Sequence, residues 1–460
     1  MKENLTKIIE LGLEAGAEYV EIRAQKLFRT MLTMKDGVIE AAKEGLENGA
    51  AIRVLANGTW GFASVGSFNK TQLAEAVEKA CRMAKATSRK VKVPIKLAET
   101  KTFEDKVTSK PRKNPAETPL AEKIQLASSI NERVFSYDQR IKSCTVDYLD
   151  IMGTNYFINN EGTYIEQDKL YVWSRILATA KEGEIYAFAR EEIGSTAGFE
   201  VFETETPQIV SERIAKRAVE QLKAKTPKGG IFPVVIGPNV VGVFVHEAFG
   251  HLAEADLTLS GSVLMDKIGK KVASDVVTVY DDGTIDGAFG SFKYDDEGVP
   301  AQKTLLIENG RVVGLMHSRE TAHKFEAAPT GNVRAEDFRY EPIIRMRNTY
   351  MAPRDHSFEE LLEDIRFGYY LKSFRGGQAN LDGTFQVGIQ EAYEIVNGEI
   401  GAPVRNASIS GNTLETLKKV DAVGKDFELW PGRCGKGQIA FICDGGPHIR
   451  VREVLMGGAR

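Results

Sequence analysis

The chain has 460 residues, 42% of them hydrophobic and 27% charged, with a formal net charge of −4. That length calls for two or more domains with sizeable cores, and the balance is that of an ordinary globular protein. The charge gives no basic footprint for nucleic acid, no apolar run approaches the roughly 18 residues of a membrane span, and the opening Met1-Lys2-Glu3-Asn4-Leu5 lacks a secretory core.

From the N-terminus, Leu5, Ile8, Ile9 and Leu13 share one side of a helix predicted near residues 4–16. Strands follow, punctuated by the hairpin pairs Asp36-Gly37 and Asn57-Gly58. A second helix is expected from Asn69 to about Lys90, apolar at Leu73, Val77, Cys81 and Met83. The basic, proline-bearing stretch 91–117 reads as a solvated surface connection. A third helix near 118–134, strands around 141–203 and a helix near 207–225 lead to Thr226-Pro227-Lys228-Gly229-Gly230, a break that divides the chain into 1–226 and 227–460.

Beyond the break, Ile231–Ile236 is an apolar strand and Pro238 suits the first turn of the next helix. Asp282-Gly283, Asn309-Gly310, Asp382-Gly383 and Asn397-Gly398 then mark hairpin turns between many short strands. Ser357 with Glu360 three residues on signals a capped helix, expected over Ser357–Phe374. The fold class read from this order is α+β. A mixed N-terminal region with antiparallel strands precedes a β-rich C-terminal domain, a large antiparallel sheet or barrel that carries one buried helix.

That helix holds the chemistry. Val245-His246-Glu247-Ala248-Phe249-Gly250-His251 places two imidazoles and a carboxylate within six residues. Neutral imidazole suits a borderline metal such as zinc, and a carboxylate beside it can carry protons. Zinc-peptidase helices usually read H-E-x-x-H, with the histidines at i and i+4 on one face. Here they stand at i and i+5, roughly 140° apart on a regular α-helix. A single π-turn would realign them. Alternatively the helix ends near Gly250, where a missing Cβ permits unusual backbone angles. The bland reading makes His246 an ordinary core histidine and Glu247 a solvated charge.

A zinc site needs a third protein ligand. Glu254, Cys434, Cys443, His317, His323, His356 and His448 are the candidates. Cys434 lies in the glycine-bracketed Pro431-Gly432-Arg433-Cys434-Gly435-Lys436-Gly437, where flanking cations would favour a thiolate. It could equally be a free thiol on a turn. The four cysteines are scattered with no paired metal-knuckle spacing, which suits the reducing cytosol.

The motif resembles the H-E-x-x-x-H signature of the TldD branch of the TldD/PmbA metallopeptidases. Further blocks are similar to that family in order: Asp295-Asp296-Glu297-Gly298-Val299-Pro300, Pro329-Thr330-Gly331-Asn332, Asn348-Thr349-Tyr350-Met351, Gly376-Gly377-Gln378, Glu391-Ala392-Tyr393 and Cys434-Gly435-Lys436. The N-terminal half is similar in layout only. The resemblance implies that His246, His251 and Cys434 hold zinc and that Glu247 is the catalytic acid/base. Glu254 then becomes the residue that orients His251. Arg433 and the short Cys434–Gln438 run depart slightly from the family's loop, a difference that bears on substrate preference more than on metal.

The resemblance also implies a cytoplasmic peptidase acting on unfolded or small, even modified, peptides. They would be taken as extended strands into a chamber shared with a TldE/PmbA-like subunit, or with a second copy as the fallback. His317 and Tyr350 are candidates to complete the oxyanion stabilisation. The rival readings are a non-catalytic subunit with a structural metal and a zinc-dependent small-molecule amidase. A closed four-ligand site would favour the first, and a small closed cavity the second.

Overall fold

The computed structural model describes residues 1–89 and 91–458. Lys90, the expected end of the second helix, and Ala459 and Arg460 at the end of the expected second domain, lie outside the described residues.

The N-terminal region is built on long, largely antiparallel strands: β1 (Tyr19–Lys35), β2 (Val38–Ala56), β3 (Thr59–Val65), β4 (Glu104–Val107), β5 (Ile141–Asn159), β6 (Tyr164–Glu182) and β7 (Ile185–Ser195). Their order is β3-β2-β1-β5-β6-β4, with β7 also on β6; β4 alone runs parallel to its neighbour. The short β4 shows that the basic 91–117 connection is pinned to the sheet.

Alternation along the strands gives the sheet two faces with different partners. On one face, Val20, Ile22, Ile52 and Val54 pack under helices Lys2–Glu14 and Lys70–Ser88. Further along, Leu32, Met34, Val146 and Ile176 pack under Leu120–Tyr137 and Pro207–Lys223. On the other face, Leu27, Leu149, Ile151, Tyr171 and Trp173 meet Phe289 and Cys443 from the C-terminal half.

A polar clasp joins the halves beside that apolar contact. The buried Asp295 carboxylate accepts the backbone N–H groups of Glu297 and Val299, both at 2.9 Å. The tight turn this makes aims Glu297 at Arg53 (2.7 Å), which also binds Glu21 at 2.7 Å. Gly298 has φ +74°, and a Cβ there would lie 2.6 Å from the Phe157 ring, so only glycine serves.

The C-terminal half contains a closed barrel. Phe367–Ala379, Gly230–Ile236, Ile449–Gly458, Ala407–Asn412 and Thr384–Val396 pair in that order, and the last returns to pair with the first. Beside it, a six-stranded sheet ends with Asn348–Met351, Ile439–Gly446 and Glu428–Gly435. The expected helix over Ser357–Phe374 is cut short. Ser357 and Glu360 do form the capping box, but the helix spans only Phe358–Leu362, and the aromatic-rich Phe367–Ala379 becomes a barrel strand. Gly368 permits this, since a Cβ there would sit 2.3 Å from the carbonyl of Pro233 on the neighbouring strand.

Candidate metal centre

The helix Pro238–Val245 starts with proline in its first turn, and every one of its residues is buried. It lies between the barrel and the six-stranded sheet. Asn239 accepts from the Ser373 hydroxyl and the Phe374 N–H, which ties it to the barrel. On the other side a Cβ at Gly242 would come within 2.4 Å of the Gly445 nitrogen, so glycine lets the helix press onto Ile439–Gly446. That strand pairs with Glu428–Gly435, placing Cys434 opposite Ala440. Cys434 is thereby carried to the end of the helix.

Beyond Val245 the helix widens into a π-turn over His246–Gly250, and the His251 N–H bonds to the His246 carbonyl. The extra residue is accommodated as the i, i+5 spacing requires. The imidazole rings stand 5.3 Å apart, 84° between planes. Gly250 matters for a different reason from the one its sequence suggests. Its angles, φ −56° and ψ −49°, are ordinary helical ones, but a Cβ would lie 2.0 Å from the Met346 sulfur. Close packing, not backbone freedom, demands glycine there.

Cys434 Sγ lies 3.3 Å from His251 Nε2, and the donor atoms of His246, His251 and Cys434 all fall within 4.8 Å of one another. His246 is buried, and neither of its ring nitrogens meets a hydrogen-bond partner. Two orphaned nitrogens in the interior are costly, and they fit a metal ligand. Among the described residues, this is the one group of three or more such side chains drawn together closely enough to hold an ion.

Burial alone would raise the Cys434 pKa, but the neighbouring charges of His246 and His251, with the His251 Nε2 contact at 3.3 Å, bring it down to about 4. Burial likewise opposes protonation of the histidines. It is outweighed at His246 by the Cys434 charge, and at His251 by Glu254 followed by Cys434, so both sit above the usual histidine range. Thiolate chemistry is thus favoured before any cation binds.

Glu254 is fully buried and takes the other side of His251, with Oε2 2.9 Å from Nδ1. Lys436 lies 3.1 Å from the same carboxylate and 2.8 Å from Asp256. This carboxylate fixes the tautomer that turns Nε2 toward Cys434. Glu247 faces the open side; its Oε2 is 3.9 Å from His251 Nε2, and its side chain is 26% exposed.

The remaining ligand candidates lie elsewhere. Cys443 accepts the Phe289 N–H, and burial pushes its thiol up to about 12. His448 pairs with Asp426 and Tyr370, and His356 with the Val423 carbonyl. His323 belongs to the helix Arg319–Lys324. His317, near Thr321, and Tyr350, against Tyr280 and Phe427, are both absent from the walls of the cleft that holds His246 and Glu247, so neither is placed to assist an oxyanion.

That cleft has a volume of about 200 Å³, and sequence reasoning missed several of its walls. Glu191 and Glu192 reach it from β7, and Trp430 and Asp444 from the six-stranded sheet. Burial raises Asp444 to about 7 despite the nearby His246 charge. The Gly376-Gly377 pair completes the opposite rim.

Family models describing PmbA/TldA metallopeptidase domain 1, the central domain and the C-terminal domain match residues 20–84, 113–224 and 229–458. The chain belongs to the PmbA/TldA metallopeptidase family. It is 43% identical to a metalloprotease of Methanothermobacter thermautotrophicus, over 98% of both chains. It is 34% identical to a zinc metalloprotease TldD homolog of Saccharolobus solfataricus, over 98% of this chain and 99% of that one. Among solved structures, TldE from Thermococcus kodakarensis shares the fold, with a TM-score of 0.79, 21% identity and coverage of 99% and 100%. No helix among the described residues of this family member is long and apolar enough to cross a membrane.

Proposed function

We propose that the chain is a zinc-dependent peptidase in which His246, His251 and Cys434 hold the metal and Glu247 moves the proton. The observation that carries this reading is the meeting of three donor atoms within 4.8 Å, with Glu247 beside them on the open side of the cleft. His246, His251 and Cys434 would hold the metal, which when bound would supply Lewis-acid polarisation of the scissile carbonyl. Glu247 accepts the proton of the attacking water and passes it to the departing amine. Glu254 holds His251 in register throughout.

Peptides in extended form are the proposed substrates. Glu428–Gly435, the strand that carries Cys434, lies at the end of its sheet and lines the cleft from Trp430 to Cys434, so a peptide laid along the cleft would run beside it. Affinity from main-chain hydrogen bonds suits unfolded or small peptides of varied sequence. The proposed assembly is a heterodimer with a TldE-like subunit, with a homodimer as the alternative. Four unpaired cysteines favour a cytoplasmic setting.

The test combines metal analysis with peptide hydrolysis, on the chain alone and with a TldE-like subunit. One zinc per chain is expected, lost in Cys434→Ala. Glu247→Gln should keep the zinc and lose roughly 10²–10⁴ in kcat, the usual yield of a positioned acid/base. Full activity in Glu247→Gln would overturn the reading.

A further inference from the structure

A second cavity of about 290 Å³ lies beside the Cys434 strand, between the helix-free face of the N-terminal sheet and the six-stranded sheet. Six cationic side chains line it (Arg29, Lys169, Arg175, Arg334, Arg345 and Arg433), against the carboxylates of Asp147 and Glu336. Two of the six are matched, Arg175 by Asp147 at 2.6 Å and Arg29 by Glu47 at 3.2 Å.

The other four have no carboxylate partner among the described residues. Arg334 donates only to the carbonyls of Phe441 and Met346, and Arg345 only to those of Gln438 and Cys434. The Arg433 guanidinium lies 4.8 Å over the Trp173 ring, and the Lys169 ammonium 5.8 Å from that of Tyr171. Desolvation pulls Lys169 below the usual lysine range, and the carboxylate that acts on it most, Asp296, is already taken up by Arg23. The Nε atoms of Arg29, Arg334 and Arg345 are buried without acceptors. Glu336, the one remaining lining acid, accepts from the backbone N–H of Ile439. Arg345 is buried and Lys169 and Arg334 are half-buried, so their unmatched charge is unfavourable unless an anion completes the site, while Arg433 is exposed at its edge.

Arg433 also lines the cleft of His246 and Glu247, so the two spaces adjoin. From this we infer that the cationic cavity is a substrate subsite that takes a peptide carboxylate, either the C-terminal one or an Asp or Glu side chain. The inference rests on the peptidase reading and adds recognition of a peptide carboxylate to it.

The test measures binding rather than turnover, so the two readings can fail separately. Peptides of one sequence are titrated onto the zinc-loaded Glu247→Gln chain by fluorescence anisotropy in three forms: free acid, C-terminal amide, and internal Glu→Gln. Neutralising the recognised carboxylate should weaken binding about tenfold or more, and the form that weakens it identifies the source. Lys169→Met should erase most of the difference between charged and neutral peptides while leaving affinity for the neutral ones unchanged. Equal affinity for all three forms would overturn the subsite. Discrimination in binding with no hydrolysis of any peptide by the wild-type chain, alone or with a TldE-like subunit, would overturn the peptidase reading instead.

Discussion

Replacing Glu254 with glutamine tests how the centre is held together. The side chain keeps its shape, and the amide oxygen can still accept from His251 Nδ1 across the same 2.9 Å. What it loses is charge. Hydrogen bonds to charged groups contribute about 1.5–3 kcal/mol, against roughly 0.5–1.5 for neutral ones, so the difference is about 1–1.5 kcal/mol. Lys436 does not add to the loss, because Asp256 still binds it at 2.8 Å. If His251 ligates zinc only in the tautomer that Glu254 fixes, this difference appears in metal affinity, as about a five- to thirteenfold weakening. Competition with a chromophoric chelator at neutral pH reads it directly. Zinc affinity within twofold of wild type, in a variant with an unchanged circular dichroism spectrum, would refute the argument that Glu254 organises the ligand.

Gly250→Ala must displace Met346, and overpacking of this kind costs about 1–3 kcal/mol; urea denaturation should show that loss together with weakened zinc binding, and unchanged zinc binding would separate the π-turn from the metal. In the metal-free chain Cys434, with its pKa near 4, should be alkylated by iodoacetamide at pH 6, while Cys144 and Cys443, both pushed up to about 12, stay unmodified; peptide mapping with and without zinc locates the label, which zinc should block. Burial holds His317 near 4 in the folded chain against an ordinary 6.5. The unfolded chain therefore takes up that proton first, and stability falls as pH drops from about 6.5 toward 4. Between pH 7 and pH 5 the loss is about 2 kcal/mol, and His317→Asn should lack that part of the pH dependence in urea melts.

The motif was legible because its residue types are rare and clustered: two of six histidines flank one glutamate, and the spacing called for either a π-turn, which is present, or a helix end near Gly250. The role of Cys434 was not legible from spacing. Its place beside His251 depends on a hairpin and on the close approach at Gly242, neither of which leaves a local signal. Glu191 and Glu192 were missed for the same reason, since β7 reaches the cleft only through tertiary packing. Hairpin pairs and periodic apolar residues located most strands and helices. The overlong helix after Ser357 shows the limit: a capping box marks where a helix begins, while Gly368 and the aromatic run that follows decide where it stops. The clasp of Glu297 with Arg53 gives the Asp295–Pro300 segment a physical task that its sequence did not disclose.

His251 and Cys434 are separated by 183 positions along the polypeptide, so the strand that delivers the sulfur is made well after the motif helix. During translation the two histidines emerge long before their third companion. If His246, His251 and Cys434 hold the metal as proposed, the centre can form only once the hairpin of Glu428–Gly435 and Ile439–Gly446 has been made. On the proposed reading, the order of synthesis leaves a partly made chain without its third donor atom.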